Sequence, residues 1–318
     1  MDLDRTRKQA DAIRGGLQQV FTGQTELIDL LIGTVMCGGH GLMEGVPGVG
    51  KTLLVKALAT LLGLEFRRVQ FTPDLMPSDI LGTETFQLAT QTFQLKKGPV
   101  FTTILLADEI NRTPPKTQAA LLEVMEERTV SLGTETHTLP PLFTVLATQN
   151  PIEYEGTYPL PEAQIDRFLV KLLVNYPSPE EDLQILEHYN QGKDLHRMAV
   201  DELKPVTTAD EVLACRAQIR TIRATPEVLQ YISQVIRGTR DHADVQLGAS
   251  PRAAIHLFRL GQAMSAIEGR DYLTPDDVKA AAPAVLRHRL LLTAEAQVAA
   301  RTPDKIVADV LERIEIPR

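Results

Sequence analysis

The stretch Gly45-Val46-Pro47-Gly48-Val49-Gly50-Lys51-Thr52 fits the pattern G-x-x-x-x-G-K-[ST]. Glycines let the backbone curl so that its N–H groups point at phosphate oxygens, while the lysine reaches the β- and γ-phosphates. The Thr52 hydroxyl is placed to coordinate Mg²⁺. A glycine-rich turn that matches by accident is the alternative interpretation. The flanking residues argue against it, because 40–44 favours a buried strand and Thr52-Leu53 begins a stretch typical of a helix.

The composition indicates a protein with a sizeable hydrophobic core and points to no particular class of partner. The chain has 318 residues, of which 43% are apolar, and a net charge of −8 from 33 basic and 41 acidic side chains. This acidic balance argues mildly against a nucleic-acid binder. Cys37 and Cys215 lie far apart without metal spacing and are expected to be small buried hydrophobes. We also expect no signal peptide, no membrane span and a cytoplasmic location.

The first half of the chain alternates between strand and helix patterns. After two predicted helices, at 3–20 and 25–36, five apolar stretches favour strands, and helical stretches such as 116–127 separate them. This alternation is typical of a doubly wound parallel sheet. The strands are expected at 40–44, 66–71, 103–108, 143–148 and 168–174.

The second half reads as helices only, so we expect a nucleotide-binding domain at 1–177 and a helical domain at 178–318. Ser178-Pro179-Glu180-Glu181 is a capping box with proline at the first helical position. Further helix starts are expected near Thr208, Thr225, Ser250, Thr274 and Thr302.

Asp108 and Glu109 follow the most apolar of the predicted strands. An acidic pair in this position matches the second nucleotide motif of P-loop ATPases, in which Asp108 would hold Mg²⁺ and Glu109 would act as general base. A strand that ends in a solvated acidic pair is the alternative. The phosphate loop upstream favours the functional interpretation.

In combination, the motifs resemble those of the MoxR family of AAA+ ATPases. Beside the phosphate loop they are Ala-Asp-Glu-Ile-Asn-Arg at 107–112, Ala-Thr-Gln-Asn-Pro at 147–151 and Leu-Pro-Glu-Ala-Gln-Ile-Asp-Arg-Phe at 160–168. The resemblance covers the α/β region and extends more weakly over the helical region. It implies an α/β AAA+ P-loop NTPase with a five-stranded parallel sheet and a C-terminal all-helical lid, and ATP and Mg²⁺ as cofactors.

The resemblance also implies roles for three side chains further along the chain. Asn150 would be sensor 1, which orients the attacking water or touches the γ-phosphate; an ordinary turn residue is the alternative. Arg167 would be an arginine finger for the ATP of a neighbouring subunit, with a surface ion pair to Asp166 or Glu162 as the alternative. Arg252, in the sensor-2 segment, would couple the lid to the nucleotide, unless it is an ordinary residue at a helix start.

Three more features follow from the resemblance. Phe21 and Gly23 belong to a segment that packs near adenine in the family. Gln70 stands where related ATPases keep a polar residue that can hold the catalytic glutamate inactive, but an ordinary strand end is the favoured interpretation. Two predicted hairpins, 85–95 and 129–139, resemble inserts that face the pore of an AAA+ ring; hairpins packed against their own domain are the alternative.

The resemblance implies a homo-oligomer, expected to be a hexameric ring because Arg167 must be supplied in trans. Its output would be chaperone-like remodelling or maturation of partner proteins, with von Willebrand factor A-domain proteins as companions. Two alternatives remain open. A nucleic-acid motor would share the hairpins, and a P-loop kinase acting on a small molecule would share the phosphate loop without needing a second subunit.

Overall fold

The computed structural model describes residues 3–87, 91–133, 135–151, 156–198 and 202–317. Its helices are α1 (Leu3–Gln18), α2 (Thr25–Met36), α3 (Lys51–Leu61), α4 (Pro77–Leu81), α5 (Pro115–Glu127), α6 (Glu162–Ile165), α7 (Pro179–Asn190), α8 (Leu195–Arg197), α9 (Ala209–Ile219), α10 (Pro226–Arg240), α11 (Pro251–Ile267), α12 (Pro275–Leu286), α13 (Ala294–Val298) and α14 (Pro303–Arg313). Its strands are β1 (Gly41–Glu44), β2 (Phe66–Gln70), β3 (Gly82–Gln87), β4 (Thr92–Lys97), β5 (Ile104–Asp108), β6 (Thr129–Leu132), β7 (Glu135–Thr138), β8 (Thr144–Gln149), β9 (Val170–Leu173), β10 (Val245–Leu247) and β11 (Leu291–Leu292).

The predicted five-stranded parallel sheet is confirmed, with strand order β2-β5-β8-β1-β9. Every neighbouring pair in it is parallel. The strand that precedes the phosphate loop, β1, lies between β8 and β9, which come much later in the chain. Because the carboxyl ends of parallel strands meet at one edge, this order gathers the loops after β1, β5 and β8 into one crevice.

The two faces of the sheet pack against different helices. Along β5, Leu106 belongs to a core cluster with α1, α2, α3 and the later helices, whereas Leu105 and Ala107 belong to a second cluster with α5. This alternation follows from the two-residue period of a strand. Both faces of the central strand β5 are therefore buried, as its continuous apolar run predicts.

Both predicted hairpins are present as antiparallel pairs. β3 pairs with β4, and β6 pairs with β7. The tip of the first hairpin, residues 88–90 including the predicted Leu88, lies outside the described residues. The sequence predicts that Phe86, Leu88, Phe93 and Leu95 make this hairpin apolar. Of these side chains the structure describes Leu95, which packs against the α5 cluster.

The later helices begin where the sequence predicts. Side-chain oxygens of Ser178, Thr208, Ser250, Thr274 and Thr302 each accept a hydrogen bond from the backbone N–H three residues on. These caps satisfy N–H groups that have no partner inside the helix. The helix after Thr225 starts as expected, at Pro226, but without such a side-chain hydrogen bond.

The expectation that the second half contains helices only is wrong in one detail. Val245–Leu247 and Leu291–Leu292 form a short antiparallel ladder, with Val245 opposite Leu292. Both of these side chains are buried in the core. Runs of two or three residues are too short to display the alternation by which a strand is recognised.

The N-terminal helices pack against the later helices as well as against the sheet side of the core. Both α1 and α2 contact α9 and α11. A Cβ placed on Gly33 of α2 would lie 3.2 Å from Leu260 of α11, so the two helices approach closely. Within the described residues, no helix is both long and apolar enough to cross a bilayer.

Candidate active site

The carboxyl ends of β1, β5 and β8 enclose a cavity of about 260 Å³, which we call the phosphate pocket. Its walls bring together the acidic pair, Asn150 and the predicted phosphate loop from Pro47 on, whereas Gly45 and Val46 lie outside the lining. The lining residues are Pro47, Gly48, Val49, Gly50, Lys51, Thr52, Leu53, Asp108, Glu109, Thr148, Gln149 and Asn150. The sheet order thus assembles this group from three separate strand ends.

The phosphate loop has the backbone that its glycines permit. Gly48 and Gly50 adopt φ angles of +85° and +84°, which L side chains rarely adopt, and α3 begins directly after Gly50. The Lys51 ammonium donates to the carbonyl oxygens of Gly45 and Val46, at 3.0 Å for Val46. Burial lowers the pKa of Lys51, whereas the nearby carboxylates of Asp108, Glu109 and Glu44 act to raise it.

Asp108 lies at the end of β5 among oxygen and nitrogen partners. Thr148 donates to its Oδ1 at 2.6 Å, and the Thr52 hydroxyl lies 3.4 Å from its Oδ2. Two oxygen donors side by side, one of them anionic, suit Mg²⁺, which binds through one or two protein oxygens beside substrate phosphates. Arg68 also reaches Oδ2, at 2.7 Å, so a cation there would share this oxygen with a guanidinium.

Glu109 has a constrained backbone and two side-chain partners. Its φ and ψ are 58° and 50°, in the left-handed region, and its N–H donates to the Thr148 hydroxyl at 2.8 Å. Backbone strain of this kind clusters at active sites. Gln70 donates from Nε2 to Glu109 Oε2 at 2.6 Å, and Arg112 Nε lies 3.1 Å from the same oxygen. One oxygen of the Glu109 carboxylate, Oε2, is therefore held by both of these side chains.

Gln70 therefore contacts the predicted general base, and its role in holding that glutamate inactive stays a prediction. Arg68 extends the network, because its Nη2 donates to Gln70 Oε1 at 2.8 Å. Arg68 and Arg112 had no predicted role. For Arg68 a signal was available: residues two apart share a strand face, and β2 pairs with the strand that ends in Asp108.

Phe21 lies against Gly50 of the phosphate loop, and neither Phe21 nor Gly23 lines the phosphate pocket. Phe21 is buried, and a Cβ placed on Gly50 would lie 3.3 Å from its ring. Gly23 adopts φ +75° against the Glu181 side chain at the start of α7. Their predicted place near adenine stays a prediction.

Arg167 and Arg252 do not line the phosphate pocket. They lie together in another cavity, of about 160 Å³, which we call the arginine pocket. Glu126 joins them: its Oε1 accepts from Arg252 Nη2 at 2.7 Å, and its Oε2 lies 3.6 Å from Arg167 Nε. The lining residues are Gly38, Gly39, His40, Met125, Glu126, Arg128, Arg167, Leu169, Arg252, His256 and Arg259.

A buried ion pair anchors the segment that carries Arg167. The Arg289 guanidinium, with 1% of its side chain exposed, donates to Asp166 Oδ1 at 2.6 Å and also to the backbone carbonyls of Asp166 and Phe168. Ser250 donates to the same carboxylate at 3.0 Å. Burial lowers the pKa of Arg289 to about 10, against the raising effect of Asp166. Asp166 is thus engaged by the lid, and Arg167 pairs with Glu126 rather than with Asp166 or Glu162.

Other guanidinium groups of the arginine pocket hold the end of α2. Arg128 donates to Gly38 O at 3.0 Å and Arg259 to Cys37 O at 2.6 Å, where a helix carries partial negative charge. The two histidines of the pocket add no charge. Burial is the main cause that lowers the pKa of His40 to about 3 and of His256 to about 2, and neighbouring arginines contribute.

Comparison with known proteins gives the same architecture. Residues 40–170 match the model of the ATPase family associated with various cellular activities (AAA), and residues 237–310 match the model of the AAA lid domain. A crystal structure of a Cytophaga hutchinsonii protein proposed to be an ATPase superposes with a TM-score of 0.90 at 37% identity, over 99% of this chain and 97% of that one.

Relatives in other bacteria are similar over nearly the whole chain. The uncharacterised protein YeaC of Bacillus subtilis (strain 168) is 42% identical over 95% of this chain and 92% of its own length. Chaperone MoxR1 of Mycobacterium tuberculosis is 41% identical over 95% of this chain and 81% of its own. Protein MoxR of Paracoccus denitrificans is 31% identical over 87% of each. With its phosphate pocket, its lid and these relatives, the chain belongs to the MoxR family of AAA+ ATPases.

Proposed function

We propose that this ATPase works as a hexameric ring and that its hydrolysis of ATP drives chaperone-like remodelling or maturation of partner proteins in the cytoplasm. We place the nucleotide-binding domain at 1–177 and the lid at 178–318. One observation carries the ring: Arg167 and Arg252 lie together, but not in the pocket that contains Lys51 and Glu109. A finger that stabilises transition-state charge must reach the γ-phosphate. These arginines therefore serve the nucleotide of a neighbour.

Each residue of the phosphate pocket then has a task. Lys51 and the backbone of the loop bind the phosphates, and Glu109 accepts the proton of the attacking water once its oxygen is released from Gln70. Asn150 orients that water. Thr52 and Asp108 would hold Mg²⁺, which neutralises charge on the β- and γ-phosphates when it is bound.

The name of the Mycobacterium tuberculosis relative, Chaperone MoxR1, supports a protein client rather than a small-molecule substrate. We propose a von Willebrand factor A-domain protein as the companion. The two hairpins, β3–β4 and β6–β7, would face the pore of the ring.

Mixing two inactive variants tests the ring. Arg167→Ala should lower the ATPase rate by about 10³–10⁵-fold, and Glu109→Gln by about 10²–10⁴-fold. When subunits exchange, an Arg167→Ala subunit with intact Glu109 will meet Arg167 of a Glu109→Gln subunit. That interface contains every group, so ATPase activity should return. Rings in which native mass spectrometry shows both variants, but which stay inactive, would rule out a finger in trans.

The dependence of the rate on protein concentration separates this proposal from a kinase that acts within one subunit. A ring requires a rate per subunit that falls on dilution, whereas a kinase of that kind would keep a constant rate. A small-molecule kinase would also need no Arg167.

A further inference from the structure

Glu126 is the side chain that connects the two arginines. It is the next-to-last residue of α5, which ends at Glu127, and its side chain is 39% exposed at the mouth of the arginine pocket. Arg128, at the helix end, has φ 56° and turns the chain into β6. The carboxylate therefore projects from a rigid helix end toward the segments before β9 and at the start of α11.

The geometry leaves the reactive end of Arg167 available. Glu126 meets Arg167 at Nε, the inner edge of the guanidinium, at 3.6 Å. Among the described residues, none accepts a hydrogen bond from the terminal nitrogens of Arg167. A guanidinium presents five N–H donors in a fixed fork, so a carboxylate at the inner edge can orient it while the outer donors reach a phosphate.

The charges of the residues that line the arginine pocket explain why the position of Glu126 matters. Of the described residues that line the arginine pocket, Arg128, Arg167, Arg252 and Arg259 are cations, and Glu126 is the one acid. Burial and the neighbouring Arg259 both lower the pKa of Arg128, which reflects the crowding of positive charge. Without the carboxylate, Arg167 and Arg252 would repel each other and lose their shared partner.

We propose that Glu126 is a positioning residue, which holds Arg167 and Arg252 as a pair for the phosphate bound by the neighbouring subunit. The inference rests on the proposed ring, because it gives Glu126 an effect on a nucleotide that its own subunit does not bind. Loss of the negative charge should lower kcat, since the arginines act on charge that develops in the transition state. The KM for ATP should change by less than about twofold.

The test puts Glu126→Gln into one subunit type at a time. The parent mixture contains Glu109→Gln subunits, which donate the arginines, and Arg167→Ala subunits, which hydrolyse ATP. Glu126→Gln in the donor should lower the recovered kcat about tenfold, the order expected for one charge-assisted hydrogen bond. The same substitution in the Arg167→Ala subunit should leave the recovered rate unchanged, because the Glu126 of that subunit faces no active interface.

Glu127→Gln in the donor is the matched control. Glu127 is the next residue of α5, is exposed, and has no hydrogen bond or ion pair with a described residue. It should leave kcat unchanged. Glu126→Asp in the donor keeps the charge with a shorter reach and should retain more activity than Glu126→Gln.

The outcomes are separable. A parent mixture that stays inactive, although native mass spectrometry shows rings with both variants, refutes the finger in trans and with it the basis of this inference. If the parent mixture is active but Glu126→Gln lowers the rate equally in both subunit types, Glu126 has only a structural role. An unchanged or raised rate in the donor arm would show that the carboxylate is dispensable or competes with the phosphate, and would overturn the inference.

Discussion

The phosphate pocket and the arginine pocket are built in opposite ways. The phosphate pocket takes seven consecutive lining residues, 47–53, from one loop and its helix, and the others from the ends of two neighbouring strands. The arginine pocket joins the end of α5, the segment before β9 and the start of α11, elements that meet only after the lid has docked. A single sheet edge organises the first pocket, and long-range packing organises the second.

The phosphate pocket and the arginine pocket also carry complementary sets of charges. The phosphate pocket sets Lys51 against Asp108 and Glu109, whereas the arginine pocket sets several guanidinium groups against Glu126. The chain thus carries a site that binds and polarises the nucleotide and a separate site that can neutralise its phosphates. In the proposed ring, catalysis would need one half from each of two subunits, and variants in either pocket test this division.

Lys51→Ala should have the largest effect, because the phosphate loop loses its cation for the β- and γ-phosphates. We expect no ATP binding by calorimetry and no turnover. Lys56→Ala, further along α3, is the control and should bind ATP as the wild type does. Because the arginine pocket of the Lys51→Ala subunit is intact, it should reactivate Arg167→Ala subunits on mixing. Unchanged ATP affinity in Lys51→Ala would contradict the assignment of the loop.

Arg289→Met should have a large effect on stability, because it leaves the Asp166 carboxylate without the buried partner that binds it at 2.6 Å. Removing one member of a buried pair costs about 3–5 kcal/mol in the free energy of unfolding, measurable by urea denaturation. Arg5→Met is the control: its pair with Glu211 is exposed, 45% and 36%, and screened by solvent, so the loss of stability should be much smaller. Equal losses in the two variants would refute an anchoring role for Arg289.

Arg252→Ala should lower the rate of the ring about 10²-fold, the order for one preorganised donor, without weakening ATP binding by isolated subunits. Binding is measured by calorimetry at a dilution where subunits are separate, and turnover at a concentration where they assemble. Arg313→Ala, exposed on α14, is the control and should alter neither quantity. Weaker binding in the isolated Arg252→Ala subunit would place Arg252 at its own nucleotide, whereas wild-type turnover would reduce it to a residue at a helix start.

The sequence could predict the phosphate pocket because each part has a local pattern. The loop matches a fixed spacing, and the strand before Asp108 is a continuous apolar run. The helix caps at Ser178 and Thr274, in the later part of the chain, are likewise recognised from four consecutive residues. The prediction of five parallel strands therefore needed no tertiary information. Right-handed crossovers restrict the possible strand orders, but the order β2-β5-β8-β1-β9 itself is visible only in the structure.

The arginine pocket could not be predicted in the same way. Glu126 and Arg252 are 126 residues apart, and Asp166 and Arg289 are 123 apart, so no spacing or periodicity connects them. Which acid neutralises which arginine is decided by long-range packing, such as the docking of α11 on α2. The resemblance supplied Arg167 and Arg252 as candidates, but their common partner is visible only in the fold.

Gln70→Ala should have the smallest effect, and in the opposite direction. Gln70 donates to the Glu109 oxygen at 2.6 Å, and a carboxylate oxygen engaged by an amide N–H is less available to accept a proton from water. Loss of this donor should raise the basal ATPase rate by about two- to fivefold, a modest change because a single net hydrogen bond is worth only about 1 kcal/mol and Arg112 still reaches the same oxygen. Gln87→Ala, on the exposed β3–β4 hairpin, is the control and should leave the basal rate unchanged. A fall in rate would mean that Gln70 orients Glu109 for catalysis instead of restraining it, and the phosphate pocket would then be poised for hydrolysis before the neighbour's arginines arrive.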